Sequence, residues 1–136
     1  MSDQNDLLMN TQDITVLYVD DEDINLFLFQ KSFEKHFNIV TATSGEEGLD
    51  KLQSHANDII VVISDMRMPG MNGVEFIRKA KERFNNIAYY ILTAFNFNTE
   101  IEEAVNEKLI DKFFTKPFDI AVIRAEVEKV AQGLTR

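Results

Sequence analysis

Five side chains that could take part in phosphoryl chemistry occur in this 136-residue chain, each at the end of a short apolar segment. They are Asp20, Asp21, Asp65, Thr93 and Lys116. An aspartate has an ordinary pKa of about 3.9, so Asp65 could attack a phosphorus atom without a general base. Asp20 and Asp21 add carboxylate oxygens, which Mg²⁺ prefers as ligands. Lys116 could balance charge on phosphoryl oxygens, and the Thr93 hydroxyl could donate a hydrogen bond to one of them.

Each of these side chains also has a purely structural interpretation. An acidic pair before a helix commonly caps it, so Asp20 and Asp21 alone would be weak indicators of a metal site. Asp65 could be a loop acid before a Pro-Gly turn, Thr93 a capping hydroxyl and Lys116 a solvated lysine. All five in this order, at the ends of four predicted strands, favour the chemical interpretation.

The apolar segments that precede these residues are predicted to be β-strands. Three are almost wholly apolar, as expected of parallel strands covered on both faces, and two are shorter outer strands. The predicted strands are 14–19, 38–42, 59–63, 87–92 and 112–114, and the predicted helices between and after them are 24–37, 45–53, 73–84, 99–108 and 118–132. Ser44 with Glu47, and Asn72 with Glu75, have the spacing of helix-capping pairs.

Five strand–helix units joined by short connections predict an α/β fold. It is a three-layer, doubly wound sandwich, in which five helices flank a five-stranded parallel sheet. Ligands of such sheets bind beyond the carboxyl ends of the strands, where the strand order reverses. All five candidate residues are predicted to lie there.

Length and charge limit the classes of function. The chain fits one domain, over 13–136, after a polar segment, 1–12, that is predicted to be a flexible arm. A net charge of −9 disfavours direct nucleic-acid binding, which draws most of its affinity from Lys and Arg. The absence of cysteine excludes disulfides and thiolate metal sites. No apolar run approaches the ~20 residues of a membrane span, so we expect a cytoplasmic protein without membrane contact.

The motifs around these residues resemble those of receiver domains of the two-component response regulator family, over about 15–131. The matching segments are Asp20-Asp21-Glu22, Asp65 with Met68-Pro69-Gly70-Met71-Asn72-Gly73, Thr93-Ala94 and Lys116-Pro117-Phe118. The resemblance implies the flavodoxin-like strand order 2-1-3-4-5, which the residues themselves do not dictate. It also implies that Asp65 accepts a phosphoryl group from a histidine kinase or a histidine phosphotransfer protein.

The same resemblance implies a cofactor and a switch. Mg²⁺, with Mn²⁺ as the alternative, would be held by Asp20, Asp21, Asp65 and the backbone carbonyl of Arg67. Thr93 and Phe113 would form a conformational switch that alters the surface of the fourth helix, fifth strand and fifth helix. That surface would contact a downstream effector or output domain, or a second phosphorylated copy in a homodimer. Such a domain is not an enzyme beyond its own phosphorylation and dephosphorylation.

Three positions depart from the commonest family pattern. Phe113 stands where many members have tyrosine, so a switch cannot use a phenol hydroxyl here. The loop before the last strand reads Leu109-Ile110 in place of Gly-Ala, which makes a left-handed helix end costlier. Phe95 is large and apolar beside the predicted phosphorylation site, and with Arg67 against its ring it would shield the phosphoryl group from water.

Two alternatives concern the class of protein and its extent. A phosphatase of the haloacid dehalogenase type also combines a nucleophilic aspartate, Mg²⁺, a hydroxyl and a lysine on a parallel sheet. Such an enzyme needs a second acid two residues after the nucleophile, where this chain has Arg67. The chain is either a stand-alone receiver or the receiver part of a longer regulator.

Overall fold

Five strands and five helices alternate along the part of the chain that the computed structural model describes, residues 13–94 and 98–134. The strands are β1 (Thr15–Val19), β2 (Asn38–Ala42), β3 (Ile59–Asp65), β4 (Ala88–Thr93) and β5 (Lys112–Thr115). The helices are α1 (Asp23–Phe33), α2 (Gly45–Ser54), α3 (Gly73–Arg83), α4 (Thr99–Asn106) and α5 (Ile120–Leu134). The predictions for 1–12 and for Phe95 fall outside the described residues.

The strands form one parallel sheet in the order β2-β1-β3-β4-β5. Each connection between successive strands contains one helix, as parallel pairing requires. The predicted fold class and the strand order implied by the family resemblance are therefore confirmed. The order reverses between β1 and β3, which places a crevice at the carboxyl ends of these two neighbouring strands.

Two hydrophobic cores lie on the two faces of the sheet. Successive strand residues point to opposite faces, so Tyr18 contributes to one core while Leu17 and Val19 contribute to the other. Helices α1 and α5 cover the face that contains Tyr18, through residues such as Phe33 and Val127. Helices α2, α3 and α4 cover the opposite face. Both faces of the sheet are buried, which explains why its central strands are almost wholly apolar.

Many element boundaries differ from the predicted ones, and three of the differences matter here. Helix α1 ends at Phe33, four residues early, because the His36 amide closes a tighter turn onto the Phe33 carbonyl at 2.8 Å and the Asn38 amide already donates to Ile14 beside the sheet. Strand β3 continues through Asp65, which pairs with β4. Strand β4 continues through Thr93, which pairs with β5. Both candidate residues therefore belong to the sheet and do not lie on loops.

Side-chain caps fix where several helices begin. Ser44 accepts a hydrogen bond from the Glu47 amide at the start of α2, which confirms that predicted capping pair. Asn72 and Glu75 form a reciprocal capping box at the start of α3, as predicted. Asn98 caps α4, so the interpretation of Thr93 as a capping hydroxyl is wrong.

The end of α4 shows how the chain manages without the glycine that many family members have there. Lys108 takes a left-handed conformation, with φ of 64°, just before Leu109. Lys81 of α3 donates hydrogen bonds to the carbonyls of Lys108 and Leu109, at 2.7 and 3.2 Å. A lysine from the neighbouring helix thus satisfies carbonyl groups at this helix end.

Candidate functional site

The carboxyl ends of β1, β3, β4 and β5 bring the predicted site residues together. The Lys116 ammonium lies 3.3 Å from a carboxylate oxygen of Asp20 and 3.3 Å from one of Asp65. Carboxylate oxygens of Asp20, Asp21 and Asp65 lie within 4.8 Å of one another. The backbone carbonyl of Thr93 accepts a hydrogen bond from the Lys116 amide at 2.7 Å. Parallel pairing in register places these strand ends side by side.

Asp65 lies at the carboxyl end of β3 and is buried. The residue is only 9% exposed, because β3 extends through Asp65 and α3 begins directly against it. One carboxylate oxygen accepts hydrogen bonds from the Met66 amide and from Lys116. Burial and then repulsion from Asp20 raise the pKa of Asp65, and the opposing effects of Lys116 and the Met66 amide do not cancel the rise.

Gly73 permits the close approach of α3 to Asp65. A Cβ atom at this position would lie 2.3 Å from the Asp65 carbonyl oxygen and 2.8 Å from the Ile91 side chain. The Gly73 amide donates to the Met66 carbonyl at 2.9 Å and closes the loop between β3 and α3. Gly70, within that loop, has a positive φ of 78°, a conformation that glycine adopts at little cost. The two glycines shape the loop that follows Asp65.

Asp20 is fully buried, and both of its carboxylate oxygens are occupied by protein donors. One oxygen accepts from the Glu22 amide at 3.0 Å and from the Asn25 side chain at 3.3 Å. The other accepts from the Tyr18 hydroxyl at 2.7 Å and from the Lys116 ammonium at 3.3 Å. A buried carboxylate needs such partners, because an unpaired buried charge is strongly unfavourable. Asp20 is therefore held in one orientation.

Lys116 is the cation of the site and sits between its two buried carboxylates. Its side chain is 24% exposed. Burial alone would lower the pKa of Lys116, but attraction to Asp65 and Asp20 outweighs burial and raises it, so the side chain carries a positive charge at neutral pH. The peptide bond from Lys116 to Pro117 is cis.

The residues present fit a hard divalent cation. Asp20 and Asp65 are buried and Asp21 is exposed at the rim, so the acidic set opens towards solvent on one side. The Lys116 ammonium pairs with Asp20 and Asp65, and the three carboxylates together offer oxygen ligands of the kind that Mg²⁺ prefers. Arg67 is exposed and lies two residues after Asp65, and the role of its carbonyl as a metal ligand stays a prediction.

The predicted switch residues lie on adjacent strands. Thr93 is buried at the end of β4, 1% exposed. Phe113 of β5 is half-buried and packs against the core on the α2, α3 and α4 side of the sheet. A turn of the Phe113 ring would therefore change the packing beneath α4. Their roles in a switch stay predictions.

Tyr18 was missed as a site residue by sequence reasoning. Its position inside an apolar strand marks it as a core residue, and its ring is buried. The available signal was spacing: residues two apart in a strand point to the same face, so the Tyr18 hydroxyl can reach Asp20. Asn25, whose side chain donates to Asp20, was missed as well. Its position about one helical turn after the acidic pair was the available signal.

Comparison with known proteins identifies the family. A sequence profile described as the response regulator receiver domain matches residues 16–128. The chain belongs to this family, and it is a receiver domain of two-component phosphorelay signalling. Receiver domains bind Mg²⁺ at an acidic cluster of aspartates, and they interact with kinases and output domains. This membership does not support the alternative of a haloacid dehalogenase phosphatase.

Similar proteins differ in what accompanies this domain. The chain is 32% identical to the hydrogenase transcriptional regulatory protein HoxA of Cupriavidus necator, over 93% of the chain and 26% of that protein. It is 31% identical to the response regulator ArlR of Staphylococcus aureus, over 85% of the chain and 51% of that protein. The chain thus spans about a quarter of the length of one relative and about half of the other.

A solved structure supports the same assignment. The response regulator receiver domain protein of Clostridium thermocellum superposes with a TM-score of 0.83 at 26% identity, over 89% of this chain and 96% of that one. Among the described residues of this chain, no helix is long and apolar enough to cross a membrane.

Proposed function

We propose that this chain is the phosphoacceptor of a two-component relay, which takes a phosphoryl group onto Asp65 and changes its output surface in response. The observation that carries the proposal is the placement of Asp65. Its carboxylate lies 3.3 Å from the Lys116 ammonium and beside the carboxylates of Asp20 and Asp21. A nucleophile, a cation for the transferred group and an acidic set for a metal are the components that phosphoryl transfer requires.

In the proposed reaction, an oxygen of the Asp65 carboxylate attacks the phosphorus atom of the donor and forms the P–O bond of an acyl phosphate. The bond between phosphorus and the donor breaks, and its electron pair leaves with the imidazole nitrogen of a phosphohistidine or with the acetate of acetyl phosphate. A leaving imidazole takes up a proton from solvent. Lys116 then pairs with a phosphoryl oxygen, and the Thr93 hydroxyl donates to another.

Asp21, Asp65, Asp20 and the backbone carbonyl of Arg67 would hold Mg²⁺, with Mn²⁺ as the alternative. Bound there, the ion supplies positive charge that offsets the charge on the phosphoryl oxygens during transfer. The grouping of three carboxylates within 4.8 Å of one another supports this part of the proposal.

The phosphoryl donor is a phosphohistidine of a histidine kinase or of a histidine phosphotransfer protein. Such a protein must touch the rim of the site, and exposed apolar side chains lie beside that rim. They are on the two helices that follow the site residues of β1 and β5, and are Ile24, Phe27 and Leu28 of α1 and Ile120 and Val122 of α5. Leu28 and Phe118 line one groove together with Lys116, which connects α1 to the site. Exposed apolar residues that lie together are typical of protein interfaces.

Substitution of Phe27 tests this docking surface. Phe27 is 55% exposed, so Phe27→Ser should leave the fold and the site intact. We expect transfer from a phosphohistidine protein to slow by about tenfold, since aromatic side chains dominate many interfaces. Phosphorylation by acetyl phosphate, which needs no docking, should keep its wild-type rate. Equal loss with both donors would show damage to the site, and no loss with either would place the docking surface elsewhere.

Signalling on from Asp65 is proposed to use the surface of α4, β5 and α5. We propose that the output surface contacts an effector, an output domain or a second phosphorylated copy. We also propose that 13–136 is the receiver domain and 1–12 an arm. The relay is proposed to operate in the cytoplasm. The relatives named above, which are longer than this chain, support an output domain as the partner.

The proposal is tested by intact mass spectrometry after incubation with acetyl phosphate and Mg²⁺. We expect one phosphoryl group on the wild-type chain and none on Asp65→Asn, which lacks a nucleophilic carboxylate. Removal of Mg²⁺ with a chelator should abolish the modification of the wild type. Equal labelling of Asp65→Asn would contradict the proposal.

A further inference from the structure

Lys116 has two partners in the resting site and a third partner after phosphorylation. Its ammonium lies 3.3 Å from Asp20 and 3.3 Å from Asp65. A phosphoryl group on Asp65 places roughly two negative charges on oxygens close to this ammonium, where the carboxylate carried one. The stronger attraction draws Lys116 towards the phosphoryl oxygens, and this movement weakens its contact with Asp20.

If Lys116 moves away from Asp20, the carboxylate oxygen that it faced loses a charged hydrogen-bond donor. Asp20 is 0% exposed, so water does not replace a missing hydrogen bond. The oxygen that faces Lys116 has one other protein donor among the described contacts, the Tyr18 hydroxyl at 2.7 Å. The Glu22 amide and the Asn25 side chain serve the opposite oxygen.

Burial and ring stacking hold the Tyr18 side chain in one position. Its ring is 1% exposed and stacks on Phe29 of α1, with 4.1 Å between ring centroids and 11° between ring planes. Phe29 in turn contacts Phe33 and Phe118, which anchor the stack between α1 and the segment before α5.

We infer that Tyr18 is a positioning residue for phosphorylation, which keeps the buried Asp20 carboxylate satisfied and fixed while Lys116 moves to the phosphoryl group. The inference rests on the proposed function. Its consequence is specific to one state of the protein. In the resting state Lys116 covers the same Asp20 oxygen, so the Tyr18 hydroxyl matters most once Lys116 has moved.

The test compares Tyr18→Phe with Tyr90→Phe. Tyr90 lies on the same face of the sheet and donates to Glu126 at 2.9 Å, and Glu126 is paired with Lys112 at 3.1 Å. The control therefore removes the same hydroxyl from a matching tyrosine, carboxylate and lysine group away from the site. Both variants keep the ring and its packing.

Beryllofluoride with Mg²⁺ serves as the phosphoryl mimic, and its affinity is measured by fluorine NMR. We expect Tyr18→Phe to weaken its binding about tenfold relative to Tyr90→Phe, the size expected for one hydrogen bond to a buried charge. The rate of phosphorylation by acetyl phosphate should fall by a similar factor. The affinity for Mg²⁺ alone should stay within about twofold of wild type, because Lys116 still covers Asp20 in that state.

Equal behaviour of Tyr18→Phe and Tyr90→Phe would overturn the inference, as would a loss of affinity for Mg²⁺ alone that matches the loss of affinity for beryllofluoride. If the wild type itself takes up neither beryllofluoride nor a phosphoryl group, the proposed function fails, and the inference fails with it.

Discussion

Burial and the neighbouring Asp20 carboxylate raise the pKa of Asp65, so folding disfavours the ionised form of this side chain. Well below the ordinary value of 3.8, Asp65 is protonated in the folded and unfolded chain alike. As pH rises from 3.8 to the higher pKa of the folded state, the unfolded chain ionises first and the fold loses stability. A carboxylate kept at some cost to stability is typical of a functional site.

Asp65→Asn should therefore stabilise the resting protein at neutral pH in the absence of Mg²⁺. The gain in the free energy of unfolding should be largest above the folded-state pKa of Asp65 and should shrink as pH falls to 3.8 and below. Urea unfolding of both proteins across this pH range measures the difference. Glu82→Gln, an exposed change on α3, is the control. A variant that is less stable than wild type at pH 7 would contradict this account of Asp65.

At the scale of elements, the contact between α3 and β3 sets the position of the reactive residue. Gly73→Ala would place a Cβ atom 2.3 Å from the Asp65 carbonyl oxygen, so the start of α3 must move. Overpacking of this kind costs about 1–3 kcal/mol, and the displaced loop should slow phosphorylation of Asp65 as well. Urea unfolding and the initial rate with acetyl phosphate measure the two effects.

Gly45→Ala, at the start of α2, is the matched control for Gly73. A Cβ atom there would lie 3.1 Å from the sulfur of Met71, a flexible side chain that can adjust. We expect Gly45→Ala to lose less stability, and less of its phosphorylation rate, than Gly73→Ala. If Gly73→Ala is phosphorylated as fast as Gly45→Ala, the close approach of α3 does not position Asp65.

Elements were predictable where a local signal fixed them. The capping pairs fixed the starts of α2 and α3, and apolar runs fixed the strands. The end of α1 at Phe33 was not predictable, because apolar Phe37 continues the helical spacing whereas Asn38 directly after it already pairs with the sheet. The left-handed Lys108 was not predictable either, because the Leu109 amide closes the helix end onto Ala104 without a glycine to signal it.

At the scale of the whole molecule, parallel topology gathers side chains that are far apart in sequence. Once five strand–helix units were predicted, the meeting of Asp20, Asp65 and Lys116 followed, because all carboxyl ends lie at one edge of the sheet. The burial of the site residues and the choice of their hydrogen-bond partners did not follow from the topology. The burial of Asp65 and the contact between Tyr18 and Asp20 depend on how helices pack over the sheet.

The proposed switch is a property of the whole molecule and is tested by NMR. Phosphorylation should draw the Thr93 hydroxyl to the new oxygens and let the Phe113 ring turn inward, which repacks the core beneath α4. Beryllofluoride should therefore shift resonances across 99–132 in the wild type. In Thr93→Ala the shifts should be confined to the site. A full response in Thr93→Ala, or a purely local one in the wild type, would exclude this switch.

The central claim is that Asp65 is the phosphoacceptor, and chemical localisation of the modification tests it most directly. After incubation with acetyl phosphate and Mg²⁺, borohydride reduces an aspartyl phosphate to homoserine with release of phosphate, and peptide mass spectrometry locates the reduced residue. The account predicts reduction at Asp65 alone and none without Mg²⁺. Reduction at Asp20, at Asp21 or at another acid, with Asp65 unmodified, would contradict it.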